Sequence, residues 1–356
     1  VILSYISLEV YTNFGMLPKL FINMKFLLIV LVVFDHSLEE ISLEHNYAII
    51  RAWIYSFHMP AFIFISGYFS KHMRKNGGVR KTIINCAIPY FIFNTIFVLW
   101  TEKTLAINIL TPRYIFGDLF SLLIWRLLID DLKGIRGILI LSIILGLYIG
   151  GIHAADRFLA IFRTIVFFLY FLLGALTDEE AIVKIRKMPK LCSVIMVVIL
   201  SLCVIVLHIK NIIPVKAYEN IQCYQKSGMS NLQGDGIRLL SYGIGIAAVI
   251  CIINLISNEK KCYTAYGSRA ASIYIASAFS VIILYEFIDN IWSTNFLLNH
   301  IEVGILLSLC VTVITIFAFG NKKISNIYLN VNKKIGDALM KSEGENQQAN
   351  KTKLYF

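Results

Sequence analysis

The chain has 356 residues, of which 58% are hydrophobic and 15% are charged, and its mean hydropathy is +0.72. Soluble domains average about 45–50% apolar and about 25% charged residues, so this composition excludes an ordinary soluble protein and indicates a polytopic membrane protein. The formal net charge of +11 does not predict a nucleic-acid partner, because the cations lie at the ends of apolar runs, where they set membrane topology.

About ten apolar runs approach the length of about 20 residues that a bilayer span requires. We place them roughly at residues 20–38, 48–70, 83–101, 114–132, 135–152, 158–177, 190–209, 237–257, 270–289 and 296–319. Lysine and arginine are concentrated in the connections that lie in the cytoplasm when both termini are inside. The sequence therefore predicts an all-α, polytopic integral membrane bundle of about ten helices in a cell membrane, with both termini cytoplasmic. Residues 1–320 would form the transmembrane domain and 321–356 a polar cytoplasmic tail.

Two histidines lie inside the first two runs. His36 follows Lys25 by eleven residues, which places both on one face of a helix. His58 follows Arg51 by seven residues in a run that crosses in the opposite direction, so the two imidazoles can share one depth. Pro60 is expected to kink this second helix just past His58. Ionisable groups are costly in hydrocarbon and mark functional sites; the alternative for each histidine is a hydrogen bond to a neighbouring helix with no further role.

The surroundings of the two histidines support this interpretation. Asp35 precedes His36 and could orient its imidazole, or it could face an acidic loop with Glu39, Glu40 and Glu44 that is typical of a solvated surface. Gly67, with the neighbouring serine, allows another helix to approach the second run closely.

Five stretches then carry a family resemblance. They are KFLLIVLVVFDHS (25–37), FHMPAFIFISGYFSKH (57–72), AIPYFIFN (87–94), FRTIVFFLYFLLG (162–174) and YGSRAASIYI (266–275). In this order they resemble the acyltransferase-3 family of membrane acyltransferases, particularly its fucose 4-O-acetylase-like branch. The resemblance implies an enzyme that transfers an acyl group, usually acetyl, from cytoplasmic acyl-CoA to a hydroxyl of a glycan or lipid-linked sugar.

The resemblance gives the histidines a chemical role. Acyl transfer to an alcohol needs a base of near-neutral pKa, and histidine has such a pKa. We predict that His36 is this base, or alternatively a transient acyl carrier. His58 would orient His36 or bind the acceptor, and Asp35 would complete the catalytic set.

Cations are needed for a donor that carries phosphates, as acetyl-CoA does. The candidates are Lys25, Lys71, Arg74 and Lys75, although the cluster after the second helix is equally explained as a topology signal. Arg163 is predicted to contact the acceptor, and its alternative role is an interfacial anchor. The expected partners are membrane lipid and the glycan acceptor, with no nucleic acid.

Two other functions stay open at this point. A proton-coupled transporter or flippase for a small solute or lipid-linked sugar also uses intramembrane histidines and broken helices. A metal site built from His36, His58 and Asp35 would need a tetrahedral geometry that spacing alone does not indicate, so we predict no metal.

Overall fold

The structure, a computed structural model, describes residues 17–41, 47–71, 73, 77–103, 110–153, 158–291 and 300–340. Within these ranges every regular element is a helix, as the apolar runs predict. The α-helices are α1 (Leu17–Ile41), α2 (Ala48–Tyr55), α3 (His58–Tyr68), α4 (Gly78–Thr82), α5 (Ile88–Glu102), α6 (Phe116–Leu132), α7 (Ile138–Gly150), α8 (Ile161–Val166), α9 (Phe168–Leu176), α10 (Glu179–Lys187), α11 (Lys190–Ile209), α12 (Val215–Glu219), α13 (Asn231–Leu255), α14 (Thr264–Gly267), α15 (Ala270–Ile291), α16 (Ile301–Phe319) and α17 (Lys322–Leu339). A π-helical turn, Ile83–Ala87, joins α4 to α5.

Among the described residues, six helices are long and apolar enough to cross a membrane. They are α1, α2 with α3, α4 through α5, α11, α13 and α16. The pair α8 and α9, which bends by 52°, would make a seventh. The predicted count of about ten is not confirmed, because the remaining predicted spans are shorter: α6 has 17 residues, and the apolar part of α15 is Ala270–Leu284. Helix α7 has 13 residues and is only about 20 Å long at 1.5 Å per residue.

The surface of α11 indicates the surroundings of the bundle. Only 11% of its most apolar part is buried against the rest of the protein. Large exposed apolar surfaces are rare on soluble monomers, whereas lipid covers such a surface without cost. This helix is therefore typical of one that faces hydrocarbon.

Helices α3 and α9 pack closely enough to require glycine at two positions. A Cβ atom on Gly67 would lie 1.9 Å from the carbonyl oxygen of Phe171, and one on Gly174 would lie 2.0 Å from that of Phe64. Small residues let helix backbones approach each other in membranes. The expectation that Gly67 allows a close helix approach is confirmed.

The second span is interrupted by a break, and the break does not lie where the sequence predicts a kink. Helix α2 ends at Tyr55 and α3 begins at His58, so the break precedes His58 instead of following it. The cause is Pro60, which has no N–H for the carbonyl four residues earlier and whose ring clashes with that carbonyl. The break therefore falls on the turn that precedes the proline.

Part of the predicted polar tail is a helix that packs on the bundle. Helix α17 begins after Asn321, whose side chain accepts a hydrogen bond from the backbone N–H of Lys323 at 2.8 Å. It packs against the π-helical turn and α5, and Arg80 pairs with Asp337 at 2.6 Å.

Candidate functional site

An imidazole and a carboxylate lie together near the end of α1. Nδ1 of His36 is 3.2 Å from Oε2 of Glu39, three residues later on the same helix face. Because a carboxylate can only accept, Nδ1 carries the hydrogen, and in the neutral imidazole Nε2 then holds the lone pair. An imidazole held in this tautomer can act as a general base.

Arg51, on α2, ties this pair to two more acids. Its Nη2 atom is 3.2 Å from Oε1 of Glu39 and 3.1 Å from Oε1 of Glu219, and its Nε atom is 3.6 Å from Oδ1 of Asp35. Burial, and next the negative charge of Glu39, raise the pKa of the Glu219 carboxyl, although Arg51 acts in the opposite direction. One guanidinium therefore joins α1, α2 and α12 around three carboxyl groups.

The position of Asp35 corrects one prediction. The carboxylate that contacts His36 is that of Glu39, whereas Asp35 is almost fully buried and faces Arg51. Neighbouring residues on a helix point about 100° apart, and residues three apart share a face. Of the acidic residues predicted to form a solvated surface, Glu39 pairs with His36 and Arg51, and Glu44 lies outside the described residues.

His58 has a partner within its own helical segment. Its Nδ1 atom is 2.8 Å from the carbonyl oxygen of Ile54, at the break between α2 and α3. Its ring packs edge-on against Tyr55 at 4.8 Å, and Tyr55, not His58, is among the described residues that line a cavity with His36. The imidazole thus pairs with a backbone carbonyl at the helix break, and this carbonyl also accepts from the backbone N–H of Phe57 at 3.3 Å.

A cavity of about 650 Å³ opens in front of His36, and we call it the large cavity. Ligand sites typically enclose about 300–1,000 Å³, so the size suits a small-molecule or sugar ligand. Its lining is mainly acidic and aromatic and includes His36, Glu39, Glu40, Tyr55, Phe97, Trp100, Glu102, Arg113, Tyr114, Arg163, Glu219 and Glu286.

Arg163 lines the large cavity and is held in place by two neighbours. Its Nη1 atom is 3.0 Å from Oδ2 of Asp118 on α6 and 3.4 Å from the carbonyl oxygen of Tyr114. The Tyr114 ring packs against the His36 ring, with 4.8 Å between their centroids. This arrangement brings Arg163 into the same site as His36, and its carboxylate partner makes it more than an interfacial anchor.

A second, mostly apolar cavity of about 80 Å³ lies among the same helices, and we call it the small cavity. Lys25, Val32, Met59, Trp125 and Tyr274 are among its lining residues. Asp118 lines it as well, so the Asp118–Arg163 ion pair borders both the small cavity and the large cavity.

Of the cations predicted to bind the donor, the structure describes two. Lys25 lines the small cavity and lies 5.4 Å from the centre of the Phe69 ring. Lys71 lies 3.7 Å from the centre of the Tyr68 ring, and burial lowers the pKa of its ammonium. The predictions for Arg74 and Lys75 fall outside the described residues.

A further buried basic residue, Arg126, lies near Lys25. Arg126 is within electrostatic reach of Lys25, and its Nη1 and Nη2 atoms lie 3.6 Å from the sulfur atoms of Cys86 and Met73. Sulfur is a weak acceptor, and the Nε atom of Arg126 has no hydrogen-bond partner among the described residues. Two buried basic side chains therefore lie in this part of the bundle, and one of them has only weak acceptors around it.

A metal ion is chemically possible at the acidic cluster. One ligand atom each from Asp35, His36 and Glu39 lie within 4.8 Å of one another, and carboxylate and imidazole groups bind metals such as zinc. In the structure the cation beside both carboxylates is the guanidinium of Arg51.

Comparison with known proteins bears on the first part of the chain. Residues 20–111 match the family model of acyltransferase-3, which is described as an acyltransferase domain. The match covers about a quarter of the chain and includes His36, Glu39 and Arg51, but not Asp118 or Arg163. No curated protein and no solved structure matches the chain. The family match does not distinguish the fucose 4-O-acetylase-like branch, but it supports the acyltransferase-3 family and, together with the apolar helices, a membrane acyltransferase.

Proposed function

We propose that the protein is an integral membrane O-acyltransferase that moves an acetyl group from cytoplasmic acetyl-CoA to a hydroxyl of a glycan or lipid-linked sugar. The observation that carries this proposal is the His36–Glu39 pair, which faces a cavity of about 650 Å³ within the segment that matches an acyltransferase domain. The acceptor, the donor and the base are our assignments.

In the proposed reaction, His36 takes up one proton and then releases it. Nε2 of His36 takes the proton of the acceptor hydroxyl as the hydroxyl oxygen attacks the carbonyl carbon of the thioester. The carbon–sulfur bond then breaks, and the departing thiolate takes the proton back from the imidazolium. Glu39 keeps the imidazole in the required tautomer and stabilises the imidazolium between the two steps.

The large cavity suits a polyhydroxylated acceptor. Carboxylates such as Glu40 and Glu219 accept hydrogen bonds from hydroxyl groups, and the rings of Trp100 and Tyr114 offer flat apolar surfaces to a sugar ring. In the predicted orientation this cavity belongs to the outer half of the membrane, where a glycan acceptor would approach.

The small cavity suits the donor. Lys25 and the nearby Arg126 are buried cations, and an isolated buried charge is unfavourable until an anion pairs with it. The phosphates of a CoA thioester would provide such anions. The small volume of about 80 Å³ favours an acetyl group over a long acyl chain.

Transfer of radiolabel tests the proposal. Membranes that contain the protein are incubated with acetyl-CoA labelled in the acetyl group, and label is measured in extracted glycans and lipids. Wild type should transfer label, and His36→Ala should lose roughly 100-fold or more of the rate. The matched control is His208→Ala, since His208 lies near the end of α11, lines neither cavity, and has its Nδ1 atom 3.4 Å from the backbone carbonyl oxygen of Ile213. Equal transfer by wild type and His36→Ala would overturn the assignment of the base.

The same assay separates the base from an acyl carrier. If His36 carries the acetyl group, rapid acid quenching should trap label on the protein in wild type and not in His36→Ala. A general base leaves no label on the protein.

A proton-coupled transporter or flippase is the second candidate. It is favoured by the two cavities that meet at one ion pair, because a carrier alternates access to a central site. For this candidate, the reconstituted protein would move a sugar-lipid or solute across vesicles while no acetyl label appears on any product.

A further inference from the structure

The ion pair between Asp118 and Arg163 joins residues that line different cavities. Asp118 lines the small cavity, Arg163 lines the large cavity, and Oδ2 of the one is 3.0 Å from Nη1 of the other. The pair therefore borders both cavities.

The cavities follow each other along the same helices. On α1, Val32 lines the small cavity and His36 lines the large cavity. In the second span, Met59 lines the small cavity and Tyr55, on the other side of the break, lines the large cavity. Four residues correspond to about 6 Å along a helix, so the two cavities differ in level by about one turn, and the ion pair lies between them.

Both members of the pair have spare hydrogen-bonding capacity. In the part of the chain that the structure describes, Oδ1 of Asp118 and Nε of Arg163 are buried and have no hydrogen-bond partner. A guanidinium has five N–H donors and stays protonated in proteins. Because Nη1 is the atom that contacts Asp118 and Tyr114, Nη2 of Arg163 can donate to a substrate oxygen without giving up Asp118.

Tyr114 connects this pair to the base. Its ring packs against His36, and its carbonyl oxygen accepts from Arg163. Its backbone has φ of +49°, in the left-handed region that is unfavourable for a residue with a Cβ by roughly 1–2 kcal/mol. Such strain is often found at functional sites, and here it accompanies the carbonyl contact to Arg163.

We propose that Arg163 is a catalytic residue whose guanidinium stabilises the oxyanion during acyl transfer, and that Asp118 is the positioning residue that holds it at the boundary between the cavities. This inference rests on the proposed function. When the acceptor oxygen bonds to the thioester carbon and His36 takes its proton, the carbonyl electron pair moves to oxygen. Arg163 pairs with that oxyanion, and the carbonyl re-forms as the carbon–sulfur bond breaks and the thiolate leaves with the proton from His36. Preorganised donors aimed at a developing charge are among the largest contributions to catalysis.

Kinetics of substituted proteins test the inference. Arg163→Ala should lower kcat by roughly 100- to 1,000-fold while the KM values for acetyl-CoA and acceptor change by less than about threefold, because the oxyanion exists only in the transition state. Arg163→Lys keeps the charge but loses the planar fork, and it should recover part of kcat. The control is Arg80→Ala, which removes an arginine together with its ion pair to Asp337 at 2.6 Å but lines neither cavity, and kcat should change by less than about threefold.

Chemical rescue separates catalysis from folding. Added guanidinium ion can enter the large cavity and should restore part of the activity of Arg163→Ala, but should not change that of His36→Ala. The Asp118→Asn substitution should lower kcat and should add little to the loss in an Arg163→Ala background, since coupled residues are non-additive.

The outcomes distinguish the two proposals. If wild type transfers acetyl label and Arg163→Ala keeps kcat within about threefold, the role of Arg163 is wrong while the proposed function stands. If Arg163→Ala does not fold, the Arg163→Lys protein provides the test. A folded Arg163→Lys protein with full kcat and a raised KM for the acceptor would also overturn the role of Arg163, because such a result indicates acceptor binding rather than stabilisation of the oxyanion. Absence of transfer by folded wild type would instead refute the proposed function, and with it this role of Arg163.

Discussion

His36 and Glu39 lie one helical turn apart on α1, and their side chains meet at 3.2 Å between Nδ1 and Oε2. The other carboxylate oxygen of Glu39 is also 3.2 Å from Nη2 of Arg51. The carboxylate is thus held from two sides, so it can fix the imidazole rather than rotate away from it.

Glu39→Gln keeps the shape of this side chain but removes its negative charge. We expect kcat for acetyl transfer to fall roughly tenfold or more, because the imidazolium that forms at His36 loses its stabilising partner. The measurement is the initial rate with labelled acetyl-CoA at saturating donor. Glu180→Gln is the matched control, since Glu180 is an exposed carboxylate on α10 that lines neither cavity, and a loss as large as that of Glu39→Gln would contradict the specific role of Glu39.

The geometry of His58 predicts a structural effect instead. His58→Ala removes the hydrogen bond to the Ile54 carbonyl at 2.8 Å and leaves space beside Tyr55. Losing a buried hydrogen bond and its packing should lower the free energy of unfolding by about 1–3 kcal/mol, while the activity of each folded molecule stays within a few-fold of wild type. Thermal unfolding in detergent and specific activity check the two parts; a loss of activity as large as that of His36→Ala, in a folded protein, would restore the predicted catalytic role.

These two histidines show what the sequence could and could not predict. Both lie in apolar runs, where a polar group needs a partner, and each of the two histidines has one. The sequence does not say whether the partner is a carboxylate facing a cavity, as for His36, or a backbone carbonyl at a helix break, as for His58. Glu39 could have been found by its spacing of three residues from His36.

Other parts of the site had no local signal. Glu219 meets Arg51 across 168 residues of sequence, and Asp118 meets Arg163 across 45. Only the packing of the helices brings these groups together. The helices themselves were predictable from hydropathy, whereas breaks such as the 52° bend between α8 and α9 depend on local backbone geometry, and the number of spans could not be fixed from apolar runs alone.

The close packing of α3 and α9 predicts a large effect of a single methyl group. In Gly67→Ala the new Cβ would lie 1.9 Å from the carbonyl oxygen of Phe171, so the two helices must move apart. Overpacking of this kind typically costs about 1–3 kcal/mol or more. We expect a clear fall in the thermal unfolding temperature in detergent.

Gly243→Ala is the control for this effect. Gly243 lies within α13, and a Cβ there would have no neighbour within 4 Å. Alanine is favoured over glycine in a helix by about 1 kcal/mol, so this substitution should leave stability unchanged or raise it. Equal losses in the two variants would show that α3 and α9 are not in the contact described.

The last prediction concerns pH and Glu219, which lies in the connection between α11 and α13. Burial, and next the charge of Glu39, raise the pKa of this carboxyl in the folded protein above its ordinary value of 4.5. The folded state therefore binds the proton more tightly than the unfolded state, so the contribution of this group to stability is fully present below pH 4.5 and is lost as the pH rises through the raised pKa. Glu219→Gln cannot ionise and should make the unfolding temperature less dependent on pH above 4.5. Thermal unfolding of both proteins in detergent from pH 4.5 to 8 measures this, and parallel curves would mean that ionisation of Glu219 is not coupled to folding.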